Sequence, residues 1–369
     1  MEEYPHVIID TGSYYTKTCL SQEEQPRSVF RSCIGYTENN SNYFVGADAE
    51  AFSHKYNLKM NYPIENGAVN NWDDMEKIFR HIFPNELCME AKCHNVMLTI
   101  LPQSPKENIE KSGEIMFEKL NVKGLYMEYP GFLSLYTQGK FAGLSIDLGH
   151  TVTYFIPILD GKYIQNNITS FNIGGKDINE FIKNIIKEKI QKLSTNVQEQ
   201  IIKDIKYKAC YTANDYEKEI KSVEPYDYEM PDGEKITLKQ ERIICPEGIF
   251  KSFMLEKKDF NIAQICLDTI KKYDDKEQKE LYNNIILSGG NSMFEGLQER
   301  LEKEIKDLVP ESMKKEVRVI ASPKRNYSAV VGGSILSSIS TFKDFWVTKA
   351  EYDENGTDII FKKCNKFLV

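Results

Sequence analysis

The chain of 369 residues lacks any apolar run long enough to span a membrane, and its eight cysteines form no CxxC pair. Glu2 and Glu3 stand where a secretory leader would place basic residues, so no leader is expected. Low-complexity linkers are missing too, which predicts halves packed together rather than strung. Basic residues are in deficit: 47 Lys and Arg face 55 Asp and Glu, a net charge of -8. That balance argues against a general nucleic-acid binder and leaves only a local basic patch open. Cys88, Cys93 and His94 lie close together but lack a fourth ligand for zinc. The thiols read as small apolar residues of a reducing compartment. Hydrophobic residues make up 41% and charged residues 28%, values that suit one large or two ordinary globular domains.

Against that background one motif occurs twice. Residues 7–20 run from Val7-Ile8-Ile9 into Asp10-Thr11-Gly12-Ser13, then alternate around Thr16, Lys17 and Thr18. This predicts strand, tight turn, strand. Gly12 permits the sharp turn and is expected to leave N–H groups aimed at an anion. Asp10 ends a buried strand, where a carboxylate needs a positive or hydrogen-bonding partner, such as a hydrated metal ion on a phosphate. Lys17 is expected to reach back over the turn toward the same phosphates. Residues 144–158 repeat the pattern through Asp147-Leu148-Gly149-His150-Thr151. A lone Asp-x-Gly hairpin is an ordinary turn; two of them, one in each half, suggest a duplicated domain whose turns close on one ligand.

Around these hairpins the chain alternates helix and strand, an α/β pattern. Residues 21–60 read as polar and loop-rich, with a tip at Glu38-Asn39-Asn40-Ser41-Asn42, and Tyr62-Pro63-Ile64-Glu65-Asn66-Gly67 reads as a turn. Asn71 or Asp73 caps a helix that buries Met75, Ile78, Phe79 and Ile82. A strand over 95–101, a helix over 106–120 and a strand over 124–129 follow. In the second half, Gly174-Gly175 feeds a helix with Ile178, Phe181, Ile182, Ile185 and Ile186. The lysine-rich stretch 183–208 keeps helical apolar spacing, so its charges read as a solvated face. Pro231-Asp232-Gly233 predicts a hairpin. A helix near 262–272 precedes the strand 284–287. Ser288-Gly289-Gly290-Asn291-Ser292 then breaks into a helix from about Met293, where the glycines would let an anionic or planar ligand approach the backbone. A last strand spans 317–321, and a helix runs from Val330 through Phe342.

The order and spacing of several stretches resemble the actin and actin-related protein family over essentially the whole chain. They include Tyr62 to Gly67, Asn71-Trp72-Asp73-Asp74-Met75-Glu76, Leu133-Ser134-Leu135-Tyr136, Cys245-Pro246-Glu247, Leu287-Ser288-Gly289-Gly290, Gly332-Gly333-Ser334-Ile335-Leu336, Phe345-Trp346-Val347-Thr348-Lys349 and Glu351-Tyr352-Asp353-Glu354. The resemblance implies an actin-like, ribonuclease H-like duplicated ATPase fold with two lobes around a nucleotide cleft. The first lobe would take residues 1–137 and 328–369, with a short inserted subdomain at about 31–62. The second would take 138–327, with one at about 175–252. It further implies ATP or ADP with Mg2+. Thr11, Gly12, Ser13, Tyr14 and Lys17 from the first turn, and Asp147, Gly149, His150, Thr151 and Val152 from the second, would grip the phosphates. Gly175, Lys203, Lys206, Gly289, Gly290, Met293 and Phe294 would surround the ribose and base. Asp10 and Asp147 would hold the metal through water.

Departures from the family pattern fall in that cleft. Tyr14 stands where actins have glycine, and would either crowd the terminal phosphate or turn outward. His150 replaces the second turn's second aspartate and Thr151 its glycine. Losing the carboxylate weakens water-mediated metal binding, and His150 would instead donate a hydrogen bond to phosphate, most strongly when protonated. Pro130 and Tyr154 replace the glutamine and histidine that orient the attacking water, which predicts hydrolysis that is very slow or lost. Tyr207 replaces a glutamate near the ribose and Asn326 a lysine near the base. The loop between Gly35 and Phe44 is short, and Met254 to Phe260, through Lys258 and Asp259, is more charged than the family's apolar plug. Tyr136, Ile335, Leu336, Ile339, Thr341 and Phe345 keep the lower groove, which would take amphipathic helices of partners.

The expected function is a divergent, nucleotide-binding structural or regulatory subunit of actin-type filaments or a cytoskeletal complex. Its expected place is the cytoplasm, with the nucleus open, and neither nucleic acid nor membrane is an expected partner. The alternatives are a self-polymerising, ATP-hydrolysing filament protein and, on the same scaffold, a small-molecule kinase.

Overall fold

The computed structural model describes residues 4–38, 42–257 and 260–364. The expected tip at Asn39, Asn40 and Ser41, and the charged pair Lys258 and Asp259, lie outside the described residues. Two six-stranded sheets organise the chain. In the first, Val7–Thr11 pairs antiparallel with Tyr15–Leu20 and parallel with Asn95–Thr99, and Gly124–Glu128 continues the parallel set. In the second, Gly143–Leu148 pairs antiparallel with Thr153–Leu159 and parallel with Ile285–Ser288. The two sheets therefore repeat one construction, a hairpin whose leading strand is flanked by a parallel partner. Parallel strands need faces covered on both sides, and these are nearly all apolar: Val7, Ile8, Ile9, Val96, Met97 and Leu98 are almost wholly buried.

Register carries the repeat down to single residues. Asp10 lies opposite Lys17 in the first hairpin, and Asp147 lies opposite Tyr154 in the second. The two lobes thus present the same carboxylate with different partners.

The helices Pro130–Tyr136 and Ser328–Ser337 cross between the sheets. Their contact is too close for any side chain at Gly332, where a Cβ would sit 1.9 Å from the Leu133 carbonyl oxygen. Beside this crossing the Glu128 carboxyl is wholly buried. It accepts from the Tyr129 N–H at 2.8 Å and from the Tyr126 and Tyr163 hydroxyls at 3.3 Å each, which joins the first sheet to the edge of the second. Burial pushes this carboxyl up to about 8, so it is protonated at neutral pH.

Asn71, not Asp73, caps the helix Trp72–His81, accepting from the Asp74 N–H at 3.0 Å. Three expectations fail. Residues 21–60 are not mainly loop: Ile34–Tyr36 pairs with Tyr43–Val45 and with Lys59–Asn61, and the helix Gly46–Phe52 follows. The helix after the glycine pair starts at Leu297 rather than Met293, because Gly296 adopts a left-handed φ of 77° just ahead of it. The helix from Ser328 ends at Ser337, short of Phe342.

Candidate functional site

The two hairpins turn their tips toward one cavity of about 530 Å³. Both tips close the same way. The Gly12 N–H donates to the Tyr15 carbonyl and the Gly149 N–H to the Val152 carbonyl, each at 3.0 Å. A Cβ would lie 3.0 Å from the Tyr15 oxygen at Gly12 and 2.7 Å from the Val152 oxygen at Gly149, so only glycine closes these turns without displacement. The Gly12 N–H itself is spent on the turn. Among the described residues, the N–H groups of Ser13, Tyr14, His150 and Thr151 donate to no backbone or side-chain acceptor, and these tip amides are the ones free to meet an anion.

The floor of the cavity carries charge. Asp10 accepts from the Lys17 ammonium and from the Thr99 hydroxyl, each at 2.8 Å. Lys17 therefore does not reach over the turn alone: its ammonium is tied to Asp10 while still lining the cavity. Burial opposes the Lys17 charge, but Asp10 beside it more than compensates and holds the ammonium above its ordinary range. Asp147 accepts from the Ser288 hydroxyl at 3.3 Å. Burial, and then the Asp10 charge, push Asp147 up to about 6. Two carboxylates share one lysine here, and a divalent cation would relieve that excess. Among the described residues no group of three or more His, Cys, Asp or Glu side chains is placed to hold a metal. The donor set thus fits an ion held through water by Asp10 and Asp147, with its remaining ligands from water and phosphate.

The opposite wall is cationic. Lys206, 6% exposed, donates to the Gly175 carbonyl at 3.3 Å and the Asn179 amide oxygen at 3.2 Å, and no carboxylate pairs with it among the described residues. Burial depresses its ammonium to about 7. Lys203 donates to the Tyr15 hydroxyl across the cleft. A Cβ on Gly175 would stand 2.9 Å from Lys206 Nζ, 3.4 Å from His150 Nδ1 and 3.5 Å from Asn291 Oδ1, so these three polar atoms converge on one point. Asn291 is 5% exposed and its Oδ1 has no hydrogen-bond partner. A buried ammonium with no carboxylate partner among the described residues, beside an unmatched acceptor, calls for a ligand group that accepts from the one and donates to the other, as a hydroxyl does.

His150 keeps a donor for phosphate but not the charged form that would donate most strongly. Burial first, then the charges of Lys206, Arg31 and Lys176, hold its imidazole down at about 3. It is neutral at physiological pH and offers at most a single N–H. Tyr154 is pushed up to about 12 by burial and is no base near neutrality. Pro130, at the first turn of its helix, brings no polar side-chain atom to the cavity it lines.

Every residue expected at the nucleotide lines the cavity except Phe294, which lines a smaller neighbouring cavity of about 120 Å³ with Lys206, Gly290 and Met293. The sequence reading missed Tyr15, Val29, Asn179, Arg325 and Tyr327. Asn179 lies one helical turn beyond Gly175, and that spacing was the available signal; nothing local marks the others. In the lower groove, Ile335 and Ile339 are 40% and 42% exposed, whereas Leu336 packs into the core of the first sheet and offers nothing to a partner.

Two matched α/β lobes, each turning a glycine-closed hairpin toward a shared cleft, define the class of duplicated two-lobed folds. Within that class, the family model for actin matches residues 1–365. The chain belongs to the actin family, and its fold is the actin-like one.

Proposed function

We propose that this actin-family chain is a divergent nucleotide-binding subunit that serves a structural or regulatory role rather than turning over ATP. The observation that carries the reading is the contrast within one cavity. Free tip amides, an uncompensated Lys206 and the Asp10–Asp147 pair suit a nucleotide polyphosphate with Mg2+. The positions beside the phosphates hold Pro130, a protonated Tyr154 and a weakly basic His150. Phosphoryl transfer to water depends on orienting the water and stabilising developing charge, and a prolyl ring does neither.

In this reading the tip amides of Ser13, Tyr14, His150 and Thr151 bind phosphate oxygens, and Lys206 and Asn291 face the ribose end. Asp10 and Asp147 orient the waters of the cation. Bound Mg2+ supplies charge neutralisation between phosphates. The partners are actin-type subunits or members of a cytoskeletal complex, met through Tyr136, Ile335, Ile339 and Phe345 in the lower groove, and the compartment is the cytoplasm.

The test is to purify the protein, identify released nucleotide by chromatography, and follow phosphate release and sedimentation with ATP and Mg2+. Bound adenine nucleotide with phosphate release at background supports the reading. Sedimentation that needs ATP and releases stoichiometric phosphate overturns it in favour of a self-assembling ATPase.

A further inference from the structure

Between the two hairpin tips the cleft is partitioned. The Arg31 guanidinium lies 3.6 Å from the centre of the Tyr14 ring, and the His150 ring lies 4.5 Å from it, both van der Waals contacts. Arg31 is 7% exposed and is held by Glu50 at 3.6 Å and, across the cleft, by Glu199 at 3.8 Å. Tyr14 is therefore hemmed in by Arg31, His150 and Tyr15, whose ring centre lies 4.7 Å away, and the alternative of an outward-turned ring is not the one adopted. Next to the ring, the Ser13 and Thr151 hydroxyls share a hydrogen bond of 3.0 Å between the lobes. A phosphoryl group bridging two hydroxyls would hold their oxygens about 5–7 Å apart, given hydrogen bonds of about 2.7 Å to separate phosphate oxygens.

We infer that the Tyr14 ring and the Ser13–Thr151 bridge fill the place a third phosphate would take, making this cleft selective for a nucleoside diphosphate over the triphosphate. The inference rests on the nucleotide reading above and deepens it. With the ribose end set at Gly175, Lys206 and Asn291, the phosphate chain runs toward the tips. A diphosphate ends where the free tip amides meet it. A triphosphate has to part the two hydroxyls and push the ring off either Arg31 or His150. Since His150 is neutral, it offers the extra phosphate no compensating charge. The same partition separates the cavity from a second, upper cleft of about 760 Å³, lined by Arg31, Tyr62, Lys176 and Glu199.

Competition against a fluorescent ADP derivative, with ADP and ATP as competitors in Mg2+, tests this on the full chain. ADP should compete at least about tenfold better than ATP in the wild type. Tyr14→Gly should bring ATP to within about threefold of ADP, whereas Tyr14→Phe, which keeps the ring, should retain the preference for ADP. Equal affinities in the wild type overturn the inference and leave nucleotide binding standing. A Tyr14→Gly variant that binds ADP and still rejects ATP removes the ring from the explanation and overturns it too. If the wild type binds neither nucleotide, the nucleotide reading itself falls.

Discussion

Replacing Lys206 by methionine separates what the fold needs from what the ligand needs. The ammonium is buried, forms an ion pair with no carboxylate among the described residues, and is depressed from 10.5 to about 7. That difference corresponds to about 5 kcal/mol against the charged form at or below pH 7, an upper bound. Methionine removes the charge but also forfeits the bonds to Gly175 and Asn179, which returns roughly 1–3 kcal/mol. Lys206→Met should therefore stabilise the ligand-free protein by up to about 2–4 kcal/mol at pH 7. The sign with pH follows from the lowered value. The penalty is full below pH 7 and fades as pH rises toward the 10.5 of the unfolded chain, so the gap between variant and wild type should narrow above neutrality. Urea unfolding at pH 7 and pH 9.5 reads this directly. In the same variant ADP affinity should fall about tenfold to a hundredfold, because a desolvated charge-assisted contact is lost. A variant less stable than wild type at pH 7, or one that binds ADP as tightly, would refute the claim that Lys206 is held for a ligand.

Three further outcomes are expected. Asp147, raised to about 6, is ionised at pH 7.5 and protonated at pH 5, so Mg2+ should strengthen nucleotide binding at the higher pH and not at the lower, and Asp147→Asn should remove the effect at pH 7.5. Glu128, raised to about 8, binds a proton in the folded chain that the unfolded chain has lost, so wild-type stability should fall by up to about 1.4 kcal/mol per pH unit between about pH 4.5 and 8 relative to Glu128→Gln, as measured by urea unfolding. Arg300 donates to Glu247 through two bonds of 3.2 Å and to the Ala213 carbonyl at 2.7 Å in a buried setting, so Arg300→Met should cost about 3 kcal/mol by leaving the buried Glu247 with only Lys251, at 3.5 Å, against its charge, and Glu247→Gln in the same chain should recover part of it.

The strand-turn-strand repeats were legible because largely buried strands of five to seven residues flank, in both halves, a turn that glycine closes. The grouping of Gly175, Lys206 and Gly289 at one cavity came from the family resemblance; no local pattern ties a lysine on one helix to two glycine turns. Residues 21–60 defeated the reading because their strands are three or four residues long, too short for alternation to register. The helix after Gly290 was placed too early because sequence does not show which glycine takes the left-handed conformation that launches it. His150 was expected to donate to phosphate, above all as a cation, yet burial first and then the charges of Lys206, Arg31 and Lys176 keep its ring neutral. Tyr14 was left with two orientations, and the choice rests on Arg31 and His150, contacts made only by the folded chain.

A crystal structure of the full chain grown with ADP and Mg2+ tests most directly whether the paired tips grip one nucleotide. The account predicts the terminal phosphate within hydrogen-bonding distance of the amides of Ser13 or Tyr14 on one side and His150 or Thr151 on the other, with Lys206 beside the ribose. Nucleotide bound outside the cleft, or a cleft filled by protein side chains alone under saturating ADP, would contradict it.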